Sequence, residues 1–147
     1  MGALQGDGRL RQSLAGLTPT TVPGATTIRT AELQRLLAER QPIVIDPMMY
    51  SWGRSIPGAI GLKHLGGGGS LADEAQDRLR RKMQALTKGD LATPIVAAGF
   101  NAERFDGYNL TLRLVALGYT EVYWYRGGRE AWEAHGLTQS AVASQPW

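Results

Sequence analysis

Short continuous apolar runs alternate along the chain with longer stretches whose apolar positions recur every three or four residues. Ile43-Val44-Ile45 is β-branched with no polar break, the pattern of a strand buried on both faces. Residues 94–98 repeat that pattern, and 121–125 predict a third strand. A turn over Ser55-Ile56-Pro57-Gly58-Ala59-Ile60 feeds a further short strand.

Between these runs lie helical patterns. Leu33, Leu36 and Leu37 follow Thr30, which is expected to be the N-cap. Leu71, Ala75, Leu79, Met83 and Leu86 form an apolar stripe behind Ser70, with Asp73 three residues on, and this helix stops near Lys88-Gly89. A third helix is predicted from about 104 to 117, with Leu110, Leu114 and Leu117 inward and Gly118 as its C′ residue. After Gly127-Gly128 the last helix covers 129–135. Strands alternating with helices imply an α/β fold, a central parallel sheet of about five strands with helices on both faces. Right-handed crossovers then place the strand-to-helix loops at the carboxyl edge of the sheet, where such folds bind ligands.

Residues 1–25 are rich in Gly, Thr and Pro without a period, and predict an N-terminal arm, partly disordered and frayed at its start, leading into a domain over 26–147. Gly66-Gly67-Gly68-Gly69-Ser70 is expected to be a flexible loop; it lacks the Gly-Lys-Ser/Thr ending of a phosphate cradle. No apolar run approaches a membrane span and no leader pattern opens the chain. A soluble protein is therefore expected, cytoplasmic, or periplasmic if a leader was removed, with no membrane partner.

Charge adds little. The net charge is +3 and the basic residues are scattered, so a solvated basic surface is expected and no nucleic-acid partner. His64 and His135 stand alone, with no second ligand at metal spacing, and neither a metal nor a cofactor is expected. Trp124 and Trp132, with Tyr123 and Tyr125, predict core packing for alternate strand members, and Phe100 and Phe105 are expected to line a shallow apolar patch. The absence of cysteine matters more: it removes disulfides, zinc-thiolate sites and thiol chemistry together.

By geometry, the candidate site is the loop Gly99, Phe100, Asn101, Ala102, Glu103 and Arg104. Either a tight loop before a helix N-terminus presents N–H groups to an anion, with Arg104 adding a charged fork, or the segment is a plain connection whose Arg104 is solvated. Asp46, at the end of a buried strand, is expected to brace that loop rather than act as a catalytic acid.

Val44-Ile45-Asp46, Ile56-Pro57-Gly58-Ala59-Ile60, Leu117-Gly118-Tyr119 with Val122, and Gly127-Gly128 with Trp132 together resemble the rhodanese family over roughly 26–137. The Gly99-to-Arg104 spacing is similar to that family's loop, which begins with a nucleophilic Cys and ends with Arg. Within the family, the Pro- and Thr-rich lead-in, the Gly-rich loop and Tyr123-Trp124-Tyr125-Arg126-Gly127-Gly128 resemble the rhodanese-like proteins of pyrroloquinoline-quinone-dependent catabolism named for a Cys-x-x-Cys-Trp element.

The resemblance implies sulfane-sulfur transfer through a loop persulfide, and implies that Gly99 stands at the nucleophile position. Met48 stands where the family often carries Arg, and Glu103 places a negative charge in the loop. The expectation is therefore a catalytically inactive rhodanese-like domain, binding an unknown protein partner or a small anion at the loop. The alternative is a thiosulfate or persulfide sulfurtransferase whose Cys is replaced by Gly in this chain. Phosphatase or arsenate-reductase chemistry, which related folds support, lacks the same thiolate, and a structural or self-associating role through the aromatics predicts no ligand at the loop.

Overall fold

The computed structural model describes residues 6–147; the expected fraying at the very start of the arm falls on residues 1–5, outside the described residues. The elements in chain order are β1 (Thr26–Ile28), α1 (Thr30–Arg40), β2 (Ile43–Asp46), β3 (Trp52–Ser55), β4 (Ile60–Gly61), α2 (Glu74–Thr87), β5 (Ile95–Ala98), α3 (Asp106–Ala116), β6 (Val122–Tyr125), α4 (Gly128–Ala134) and β7 (Ser140–Ala143). Five strands form one sheet in the order β1-β6-β5-β2-β4, every pair parallel.

The alternation of strand side chains explains why the runs had to be apolar throughout. Ile45, Ile95, Ala97 and Val122 pack on one face with Leu79 and Met83 of α2 and Leu110 and Leu114 of α3. Val44, Val96, Ala98 and Tyr125 pack on the other with Leu33 of α1 and Trp132 of α4. A third cluster joins Val22 of the arm to Phe105, Tyr108, Leu112 and Trp124, with Tyr108 edge-on to both Phe105 (5.1 Å) and Trp124 (5.9 Å). Among the described residues no helix is long and apolar enough to cross a membrane.

Several boundaries differ from the sequence reading, each for a local reason. Thr30 is the first residue of α1, not its cap: Arg29 precedes the helix and its backbone N–H donates to Glu32 Oε1 (2.9 Å). The Thr30 hydroxyl is buried and spent on the Tyr125 hydroxyl instead (2.6 Å). At α2 the cap is Asp73, whose Oδ1 accepts from Gln76 N (2.8 Å), while Ser70 N donates to its other oxygen (3.1 Å). A carboxylate that reaches two amides caps better than a hydroxyl that reaches one.

Leu71 is on the surface. α3 begins at Asp106, so Arg104 belongs to the loop. The Gly66–Gly69 stretch is tied down rather than free, since Arg113 Nη2 donates to Gly68 O (3.0 Å) and Gln12 exchanges two hydrogen bonds with Gly69. A Cβ on Gly66 would come within 2.7 Å of the Asp106 backbone, so close approach demands glycine there. β3 and β7, absent from the sequence reading, pair antiparallel as a separate two-stranded sheet.

Candidate functional site

β5 ends at Ala98, at the carboxyl edge of the sheet, and the loop from Gly99 to Arg104 crosses to α3. Gly99 is buried and Phe100 is 44% exposed. Asp106, only 2% exposed, turns its carboxylate back into the loop: Oδ2 accepts from Phe100 N (3.0 Å) and Oδ1 from Gly107 N (2.8 Å). The chain's own carboxylate thus occupies part of the concavity at the start of the loop and takes the Phe100 amide. A Cβ built on Gly99 would lie 2.7 Å from both Asp106 Cγ and Gly107 N, closer than real atoms approach. Burial, above all, raises the Asp106 pKa, against the pull of the two amides and of Arg104 and Arg129.

The loop is clamped from two sides. Ala102 O accepts from Thr18 N (2.9 Å) and from the Thr18 hydroxyl (2.6 Å), and Glu103 O accepts from Gly16 N (3.0 Å). Across the loop, Gly99 O and Phe100 O accept from the N–H groups of Arg129 (2.9 Å) and Glu130 (3.0 Å) at the start of α4. Asn101 holds the tip, its Oδ1 accepting from Glu103 N (2.9 Å) and its Nδ2 donating to Glu130 (3.3 Å). Glu103 itself is exposed.

Two arginines converge here on two buried carboxylates. Arg104 Nε lies 4.0 Å from Asp106 Oδ2, and its Nη2 lies 2.8 Å from Met49 Sδ. Arg129 Nε lies 3.5 Å from Asp46 Oδ2, with its guanidinium 5.4 Å from the Phe100 ring centre. Asp46 is fully buried; Oδ2 accepts from Ser55 Oγ (2.6 Å) and Oδ1 has no hydrogen-bond partner among the described residues. Burial pushes its pKa up to about 6, with Arg129 and Ser55 opposing and Asp106 adding to the rise. Asp46 therefore reaches the loop through Arg129 and not by direct contact.

Beside the loop opens a cleft of about 560 Å³, floored by Met48 and walled by Met49, Tyr50, Trp52, Phe100 and Arg129. Arg129, Met49, Tyr50 and Trp52 were not anticipated. The available signals were an apolar Met-Met-Tyr run directly after a buried strand and an Arg opening a helix at the carboxyl edge. Phe105, expected beside Phe100 on the surface, is 2% exposed and belongs to the core. Met48 is equally buried and packs against Gly61. His64 and His135 are both exposed, and among the described residues no group of three or more metal-ligating side chains gathers.

Comparison with known proteins follows the fold. The family model for the rhodanese-like domain matches residues 29–135. A full-length protein from Lactobacillus plantarum superposes with a TM-score of 0.56 at 18% identity, over 78% of this chain and 86% of that one. The polysulfide-sulfur transferase homodimer from Wolinella succinogenes gives 0.54 at 14% identity, over 83% and 82%. The thiosulfate sulfurtransferase from Pseudomonas aeruginosa gives 0.51 at 18% identity, over 79% of this chain and 20% of that longer one. At such identities the likeness is one of fold. No curated protein matches the chain. A parallel sheet with helices on both faces, matched by one family model over most of its length, leaves one assignment: the chain belongs to the rhodanese-like domain family.

Proposed function

We propose that this chain is a non-catalytic rhodanese-like domain that works as a binding or regulatory module through the loop Gly99 to Arg104. The observation that carries this reading is the Asp106 carboxylate, which takes the Phe100 amide of the loop and the space a side chain at position 99 would need. Sulfur transfer of the family kind needs a thiolate nucleophile, and the chain has no cysteine. With the Phe100 amide given to Asp106, the partner meets the loop's outer face, where Phe100 and Arg104 border the cleft.

Gly99 is read here as the nucleophile position, from its spacing to Arg104 and its place at the end of β5. Within the family, the chain stands nearest to the Cys-x-x-Cys-Trp proteins associated with pyrroloquinoline-quinone-dependent catabolism. The 123–128 segment, the Gly-rich loop and the Pro- and Thr-rich lead-in support that placement.

The rival reading is a sulfurtransferase whose Cys alone was replaced. Thiosulfate:cyanide sulfur transfer, measured on this protein and its Gly99→Cys variant side by side, separates the two. Neither is expected to turn over. Turnover by the variant would establish that the loop still cradles a persulfide, and the binding-module reading would fall.

A further inference from the structure

We propose that the cleft beside the loop is a binding site for a small organic monocarboxylate with an aromatic or branched apolar body. This rests on the reading above only in taking the outer face of the loop as the working surface.

The apolar walls come first. Of the seven large hydrophobic side chains exposed among the described residues, four line this one cleft: Met49 (42%), Tyr50 (73%), Trp52 (65%) and Phe100 (44%). They come from the segment after β2, from β3 and from the 99–104 loop, so their gathering is a product of the fold and not of one apolar run. Scattered single hydrophobics are ordinary on a surface; a cluster around a concavity marks a site. A volume of about 560 Å³ suits a small molecule.

The polar groups narrow the class. Arg104 and Arg129 also line the cleft, with side chains only 22% and 19% exposed. In both, Nε is buried and turned toward the carboxylate beneath, Asp106 for Arg104 and Asp46 for Arg129, so it is the Nη end of the guanidinium that serves the cleft. Arg126, by contrast, gives its Nε and Nη2 to Thr18 and Pro19 of the arm. A carboxylate is the acceptor whose two oxygens match the fork of a guanidinium.

Asp46 and Asp106 beneath them balance their charge. The site thus offers guanidinium donors and not surplus positive charge. Glu130 and Glu133, exposed at the rim, repel a second negative charge. An inorganic dianion is disfavoured on both counts, since the loop amide of Phe100 is already given to Asp106.

The test is a binding titration of the full chain with 3-phenylpropionate, its amide and benzylmalonate, read by calorimetry and by the emission of Trp52, the tryptophan most open to the cleft. The acid is expected to bind saturably, roughly tenfold tighter than the amide, the difference one charge-assisted contact makes, and tighter than the dicarboxylate. Arg129→Gln should bring the acid down to the amide's affinity, and Phe100→Ala should weaken both alike. Because Arg129→Gln strands the Asp46 charge, the Asp46→Asn/Arg129→Gln pair tests the same contact in a chain without that burden. Equal affinity for acid and amide, unchanged affinity in the Arg129 variants, or no saturation up to about 10 mM would each overturn the proposal. None of these would touch the non-catalytic reading, which fails only if the Gly99→Cys variant turns over.

Discussion

Arg113 and Asp73 meet in a two-point ion pair, Nη1 to Oδ1 at 2.9 Å and Nη2 to Oδ2 at 3.0 Å, although Arg113 is 1% exposed. Arg113 comes from α3 and Asp73 caps α2, so the pair locks two helices together. The same guanidinium holds Gly68 O (3.0 Å) and Gln76 Oε1 (3.1 Å), which fixes the Gly-rich loop against the sheet's helical layer. A buried Arg with this many partners is a bridge whose loss leaves acceptors stranded. Arg113→Met is expected to cost about 3 kcal/mol and to lower the melting temperature by roughly 6–12 °C for a chain of this size.

The pair also has a pH signature. Hydrogen bonds from Arg113, foremost, hold the Asp73 carboxyl well below its ordinary range. A depressed folded-state value stabilises above the unfolded one, and that contribution is lost as pH falls below about 4. Acid unfolding of the Arg113→Met variant should therefore begin at higher pH than in the parent, as followed by far-UV circular dichroism.

Gly99 and Asp106 compete for one volume, so Gly99→Cys should be strained as well as inactive. Overpacking of this kind costs about 1–3 kcal/mol. The new thiol is expected to be slow toward a disulfide reagent in the native protein and fast in urea. Asp106→Ser added to Gly99→Cys removes the carboxyl group that occupies part of the concavity. The double variant should recover part of the lost stability, the approach to Gly107 N remaining, and show a reactive native thiol. A native thiol equally reactive in the single variant would mean that the carboxylate yields easily.

Asp46 predicts a dependence of the opposite sign. Its pKa is raised from 3.8 to about 6, mainly by burial. Its favourable contribution is complete below pH about 4, falls as pH rises through about 6, and is absent at neutrality. Asp46→Asn keeps an acceptor for Ser55 Oγ and removes the titration. Between pH 4 and 7 the stability of the variant relative to the parent should rise by on the order of 3 kcal/mol, measured by urea unfolding across that range. Because the Asp106 carboxyl adds to the Asp46 shift, the difference reports Asp46 together with its coupling to Asp106.

The central sheet was legible because β2 and β5 are buried on both faces, and only an unbroken apolar run satisfies that. The 99–104 loop was legible from its place after β5. What escaped was non-local. Trp52-Gly53-Arg54-Ser55 and Ser140-Ala141-Val142-Ala143 carry no strong strand pattern, and become strands only because they meet from distant parts of the chain. With them went the cleft walls at Met49, Tyr50 and Trp52. Asp106 was hidden for another reason: it sits where a helix N-terminus ordinarily welcomes an acidic residue, and nothing local signals that its carboxylate turns back into the preceding loop. Phe105 was misplaced because its burial depends on the arm, through Val22, Leu10 and Leu14.

That arm gives the last prediction. Arg126, at the end of β6, donates to Thr18 O (2.8 Å), Thr18 Oγ1 (3.0 Å) and Pro19 O (2.8 Å), and Thr18 in turn covers Ala102 O of the loop. Val22 closes over Phe105, Tyr108 and Trp124. A chain starting at residue 26 should keep the sheet, whose strands all lie beyond that point, yet lose the cover of the third cluster. Burial of one valine is worth about 1.5–3 kcal/mol, and the truncated chain should unfold at correspondingly lower urea concentration. Arg126→Met separates anchoring from cover, because it leaves Val22 in place. Amide exchange at Gly16 and Thr18, which donate to the loop carbonyls, should quicken in that variant while exchange in β5 stays slow. If exchange at Gly16 and Thr18 is unchanged, Arg126 does not hold the arm, and its other contacts, Leu14 and Val22 in the third cluster and Arg11 on Asn109, secure it.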